Sequence, residues 1–99
     1  MPVVHIRFEH IQSLQDIYLQ LGKQVSLPVD FGANLDALYD FLAGSLAGPV
    51  QIHWPDQLAS SERMGKENLQ AIMDVLTDVT SERDDFVVNL NGYPATNKT

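Results

Sequence analysis

Asp36 and Asp40 stand four residues apart in the run Asn34-Leu35-Asp36-Ala37-Leu38-Tyr39-Asp40, a spacing that brings both carboxylates to one face of an α-helix. Like charges at that spacing repel, and between Lys23 and Arg63 the chain has no Lys or Arg to relieve them. Asp30, Asp36, Asp40, Asp56 and Glu62 all fall in that gap. Asp36 gains from the positive N-terminal end of such a helix, whereas Asp40 lies beyond the first turn and gains little. Local helix stability therefore does not account for Asp40. Tyr39 beside it adds a flat face and a hydroxyl.

Two carboxylates on one face support three chemistries. They can act as general acid and base, as in glycoside hydrolysis, which needs a cleft that a small core does not readily supply. They can hold Mg²⁺ or Ca²⁺ through oxygen, although the chain has no Asp-x-Asp-x-Asp-Gly loop and the pair alone binds weakly. They can also be offered as anions to Arg, Lys or His of a partner protein. A solvated face that keeps the chain soluble requires none of the three. The residues favour binding over catalysis and leave binding and a solvated face both open.

Other reactive groups are sparse. The absence of cysteine removes disulfides, thiolate nucleophiles and thiolate metal sites, and favours a reducing compartment. No Gly-x-Ser-x-Gly, phosphate loop, Gly-x-Gly-x-x-Gly or His-Glu-x-x-His is present, so no catalytic residue, cofactor or metal is expected. His5 and His53 fall on outward strand positions and become neighbours if the first two strands pair. A zinc site would want a third ligand, and they read as surface histidines. His10 lies in a loop.

The elements that position these residues follow from periodicity. Val4, Ile6 and Phe8 alternate with His5 and Arg7; Val50, Ile52 and Trp54 alternate with Gln51 and His53; Phe86, Val88 and Leu90 alternate with Val87 and Asn89. This is the period of three strands with one buried and one wetter face. Ser13 and Asp16 form a capping box with the shorter acid, and Leu14, Ile17, Tyr18, Leu21 and Val25 then keep helical spacing. Asn34 caps a second helix to about Gly44, with Leu35, Leu38 and Leu42 inward and Phe41 alongside. Pro55 and Asp56 open a short helix to about Ser61. A longer one runs from Lys66 to about Thr80 on Leu69, Ile72, Met73, Leu76 and Val79. Helices between consecutive strands imply right-handed parallel crossovers. The fold class is α/β, a two-layer domain with a three-stranded parallel sheet and helices on one face.

Ninety-nine residues hold one domain, read as 1–90 with a flexible tail at 91–99. The formal charge of −7 makes nucleic acid a poor partner, because phosphate backbones are bound through basic patches. The chain opens with no basic region followed by a long apolar stretch, and no segment reaches the ~20 apolar residues that span a bilayer. The cytoplasm is the expected compartment.

The run Phe31-Gly32-Ala33-Asn34-Leu35-Asp36-Ala37-Leu38-Tyr39-Asp40-Phe41-Leu42 resembles the signature of the barstar family, inhibitors of barnase-type ribonucleases. That family typically reads aromatic-Gly-x-Asn-Leu-Asp-Ala-Leu-Trp-Asp, and the likeness spans about residues 3 to 90, including Leu27-Pro28, Gly44 and Pro49. The resemblance implies a non-catalytic bacterial immunity protein, a monomer that binds one basic ribonuclease and occludes its active site. In that reading Asp40 takes the family's phosphate-mimicking position and Asp36 its supporting partner. Gly32, Asn34, Leu35, Tyr39 and Gly44 match further contacts, and Asp78 matches an acidic contact on the last long helix. Asp30 and Ser45 stand where the family has aromatic residues, Tyr39 replaces the usual Trp, and Phe41 and Asp84 replace cysteines. The alternative is an acidic module for a different basic partner or toxin.

Overall fold

The computed structural model describes residues 3–55, 57–90 and 93–94, with no side-chain account at positions 57, 58, 61, 90, 93 and 94. In chain order the elements are β1 (Val4–Arg7), α1 (Leu14–Gln24), α2 (Leu35–Asp40) continued by a π-helical turn (Phe41–Ser45), β2 (Val50–Trp54), α3 (Gln57–Met64), α4 (Lys66–Glu82), β3 (Phe86–Leu90) and β4 (Tyr93–Pro94). The sheet runs β1-β2-β3-β4. β1 and β3 flank β2 in parallel, with Ile6 and Val88 both opposite Ile52. The expected three-stranded parallel sheet is therefore present. A short antiparallel β4 joins it, with Asn89 opposite Pro94; two residues are too few for alternation to reveal. The rest of the expected tail, like Asp56, lies outside the described residues.

Alternation sorts the two faces of the sheet as its period requires. Ile6, Phe8, Val50, Ile52, Trp54, Phe86 and Val88 are buried, while His5, Arg7, Gln51, His53, Val87 and Asn89 occupy the wetter face. Phe8 meets Trp54 edge to face at 5.7 Å, an arrangement that favours the aromatic quadrupoles. α1 contributes Ile17, Tyr18 and Leu21 to this core, and α4 contributes Ile72, Leu76 and Val79. Ser13 Oγ accepts the Asp16 N–H, and the Asp16 carboxylate accepts the N–H of Gln12 at 2.8 Å, which returns the expected box one residue early.

Two side-chain clips fix the periphery. The free edge of β1 is covered by glutamines of α1. Gln24 accepts the Arg7 N–H at 2.8 Å and donates to its carbonyl at 2.7 Å, and Gln20 does the same at Glu9, at 3.1 and 2.7 Å. Pairing the edge with amides removes a template for strand addition.

The second clip is Arg83. The helix expected to reach Gly44 is regular only to Asp40; beyond it the Leu46 N–H bonds to the Phe41 carbonyl at 2.9 Å. This wider turn keeps Phe41 and Leu42 buried beside Leu38, and its last carbonyls, like those of any helix end, need partners from elsewhere. Arg83 donates to those of Leu42 and Leu46, at 2.7 and 2.8 Å, and pairs with Asp85 at 2.9 Å. That hydrogen bond holds the Asp85 carboxyl below its ordinary value.

Hydrogen bonds from a charged donor are worth more than neutral ones, and an orphaned carbonyl carries its own cost. Arg83→Met should destabilise the domain by about 2–4 kcal/mol, read as a lower urea midpoint at unchanged slope. A change within about 0.5 kcal/mol would show that the clip is not structural.

Candidate functional site

Asn34 sets the start of α2. Its backbone is extended (φ −139°, ψ 172°) and its Oδ1 accepts the Ala37 N–H at 2.8 Å, the exchange that makes Asn a favoured N-cap. Gly32 lets the loop pass close to the cap, since a Cβ there would lie 2.8 Å from Asn34 Nδ2 and push that side chain aside. Ala33 between them adopts φ 52°, a left-handed conformation that costs an alanine about 1–2 kcal/mol. Phe31 anchors the same loop, meeting Tyr18 at 6.0 Å and Phe41 at 6.4 Å, both edge to face.

Packing on one side of α2 decides what the other side shows. Leu38 is buried and Leu35 half-buried against the core, so Asp36 and Asp40 project into solvent. Tyr39 is half-buried between α2 and α4, with the Glu82 carboxylate in its neighbourhood. Hydrogen bonding to Glu82, with lesser effects from burial and from the charges of Glu82, Asp78 and Asp40, pushes the phenol up to about 12. An open groove of about 460 Å³ between the two helices is lined by Leu35, Asp36, Tyr39, Asp40, Val75 and Asp78.

Five of the residues singled out in the sequence thus meet around one groove: Leu35, Asp36, Tyr39, Asp40 and Asp78. Asn34 and Asp36 border a neighbouring hollow against α1 with Leu14, Gln15 and Tyr18. Asp30, Gly32 and Gly44 lie outside the groove. Asp30 is exposed in the loop before α2, where the Phe31 N–H closes a turn on the Pro28 carbonyl at 3.0 Å. Gly44 is exposed in the π-helical turn, and a Cβ there would meet nothing within 4 Å.

Two residues escaped the sequence reading. Glu82 was legible in principle, because it follows Asp78 by four and so shares its helix face. Val29 is a fully exposed apolar side chain at the loop tip, and no periodic pattern marks such a position.

Chemically the arrangement offers anions. The ion pairs Arg7–Glu9 and Arg83–Asp85 lie elsewhere. Among the described residues, no group of three or more His, Cys, Asp or Glu is placed to hold a metal ion, and no helix is long and apolar enough to cross a membrane. The class that fold and groove define is a small acidic α/β domain with its carboxylates gathered between α2 and α4.

A family model described as Barstar (barnase inhibitor) matches residues 1–91, and the chain belongs to the barstar family. Membership implies barnase-inhibitor activity in general, with a barnase-type ribonuclease as protein partner; the family's members are inhibitors rather than enzymes.

Replacing the charged acceptor tests the tie between α2 and α4. In Glu82→Gln the Tyr39 hydroxyl should ionise closer to the ordinary 10.0, seen as a downward shift of one tyrosine step in an ultraviolet absorbance titration. Superimposable titrations of parent and variant would remove the bond from the account.

Proposed function

We propose that the chain inhibits its ribonuclease by laying α2 and the loop before it into the enzyme's active-site groove, where Asp40, supported by Asp36, takes the place of an RNA phosphate. The observation that carries this reading is the exposed cluster of Asp36, Asp40 and Asp78 around the Tyr39 side chain. Exposed carboxylates keep their hydration until a partner's Arg or His replaces it with charge-assisted, often bidentate hydrogen bonds. The capped and packed helix presents them already ordered, so little conformational entropy is lost on docking.

Surrounding residues supply fit and charge. Asp30 and Asp78 add negative potential, while Gly32, Asn34, Leu35, Tyr39 and Gly44 provide the contact surface. Val29 gains by losing its exposed apolar area, worth on the order of 1 kcal/mol. The net charge of −7 steers the approach to a basic enzyme, an effect for which barnase with barstar is itself the standing example. The proposed inhibitor works in the cytoplasm as a monomer that binds one enzyme, performs no chemistry and needs no cofactor. Asp30 also favours a second reading, because a charge where the family has an aromatic ring suits a basic partner other than barnase itself.

The test is RNA cleavage by a barnase-type ribonuclease titrated with purified protein. Truncating one member of a desolvated charge pair costs about 2–5 kcal/mol, so Asp40→Ala should weaken inhibition by at least about 30-fold. Asp74→Asn, on an exposed face of α4, should leave it within about threefold. The association rate should fall as salt rises. Parent-like inhibition by Asp40→Ala would remove the phosphate-mimic role.

A further inference from the structure

On the sheet face turned away from the helices, β1 and β2 bring together two histidines that lie 48 residues apart in sequence. The parallel register sets His5 beside Gln51 and Arg7 beside His53, and the imidazoles meet along the diagonal. Their centroids are 5.2 Å apart with 21° between the planes, and His5 Nδ1 lies 3.0 Å from His53 Nε2. On the other side of the ring, Asn89 Nδ2 stands 3.3 Å from His53 Nδ1. The contacts admit a chain of bonds in which the Asn89 amide donates to His53 Nδ1 and His53 donates from Nε2 to His5 Nδ1.

We propose that His5 and His53 form a two-nitrogen chelating site for a divalent transition-metal ion that prefers square or octahedral geometry, of the Cu²⁺ or Ni²⁺ kind. The separation of the two nitrogens suits such an ion once the rings turn so that both lone pairs converge on it. With metal–nitrogen bonds of about 2.0–2.1 Å, nitrogens 3.0 Å apart subtend roughly 91–97° at the metal. That is the angle of adjacent ligands in tetragonal copper or nickel sites, whereas a tetrahedral zinc site would open the pair to about 3.3 Å.

Binding requires the bridging hydrogen to leave the His53 Nε2 position, and the neighbourhood provides for it. The hydrogen moves to Nδ1 of the same ring, and Asn89, turned over, accepts it through its carboxamide oxygen. Both facing lone pairs are then free for two coordinate bonds, with no net loss of protons. A metal-bound histidine is usually oriented by an oxygen acceptor behind its other ring nitrogen, most often a carboxylate, a backbone carbonyl or water, and the Asn89 carboxamide oxygen would serve the same purpose. Water fills the remaining positions, since His5 is exposed. Arg7 is the cation facing the pair, and its guanidinium is engaged by Glu9. The net charge of −7 favours a cation near the surface.

Untagged full-length protein titrated calorimetrically with NiCl₂ at about pH 7.5 should bind one ion per chain. Affinity should fall by at least about tenfold in His5→Gln and in His53→Gln. His10→Gln should bind like the parent. In the parent, substoichiometric Cu²⁺ should broaden the imidazole NMR signals of His5 and His53 before those of His10, a readout independent of how the variants fold. Absence of saturable binding, binding that survives either substitution in the pair, or first broadening at His10 would each overturn the site.

Discussion

Holding Asp36 and Asp40 on one exposed helix face with no cation in the flanking sequence costs electrostatic energy that the opposite side of the same helix must offset. The two magnitudes are unequal. Like charges at i, i+4 cost a few tenths of a kcal/mol in water, whereas each large apolar side chain taken out of water returns roughly 1.5–3 kcal/mol. Leu38, Phe41 and Leu42, all buried, therefore hold α2 in place against the repulsion. The Asn34 cap and the Arg83 clip tie its beginning and continuation to the rest of the domain. The carboxylates remain hydrated and oriented, ready to exchange water for a partner's cations.

How much of this could be read from sequence depends on the range of each interaction. The strands were legible because alternation is local: Val50, Ile52 and Trp54 are all buried, as period two requires. The Asn34 cap and the shared face of Asp36 and Asp40 were legible for the same reason, since capping and helical spacing act within one turn. The π-helical turn was not, because over a single turn the apolar positions Leu38, Phe41 and Leu42 fit either winding. Nor was Arg83, whose acceptors Leu46 and Leu42 lie 37 and 41 residues away. The His5–His53 contact was legible only as a consequence of strand pairing, and its 3.0 Å separation depends on a register that no local pattern sets.

The two layers carry different chemistry. Helices cover one face of the sheet, and their outer surface bears the carboxylates of α2 and α4. The other face of a parallel sheet is ordinarily covered as well; here it is furnished with His5, Arg7, Gln51, His53 and Asn89, polar groups that tolerate water. A ribonuclease seated on α2 leaves that face accessible, so the proposed inhibitory surface and the proposed metal site do not compete for the same residues.

The central claim is that a carboxylate of α2 occupies the place of an RNA phosphate, and competition with a small phosphate tests it most directly. Inhibition of a barnase-type ribonuclease would be measured at several concentrations of inorganic phosphate, with ionic strength held constant by a neutral salt. The account predicts inhibition competitive with RNA and an apparent inhibition constant that rises as phosphate fills the enzyme's anion site. Inhibition indifferent to phosphate and noncompetitive with RNA would contradict it.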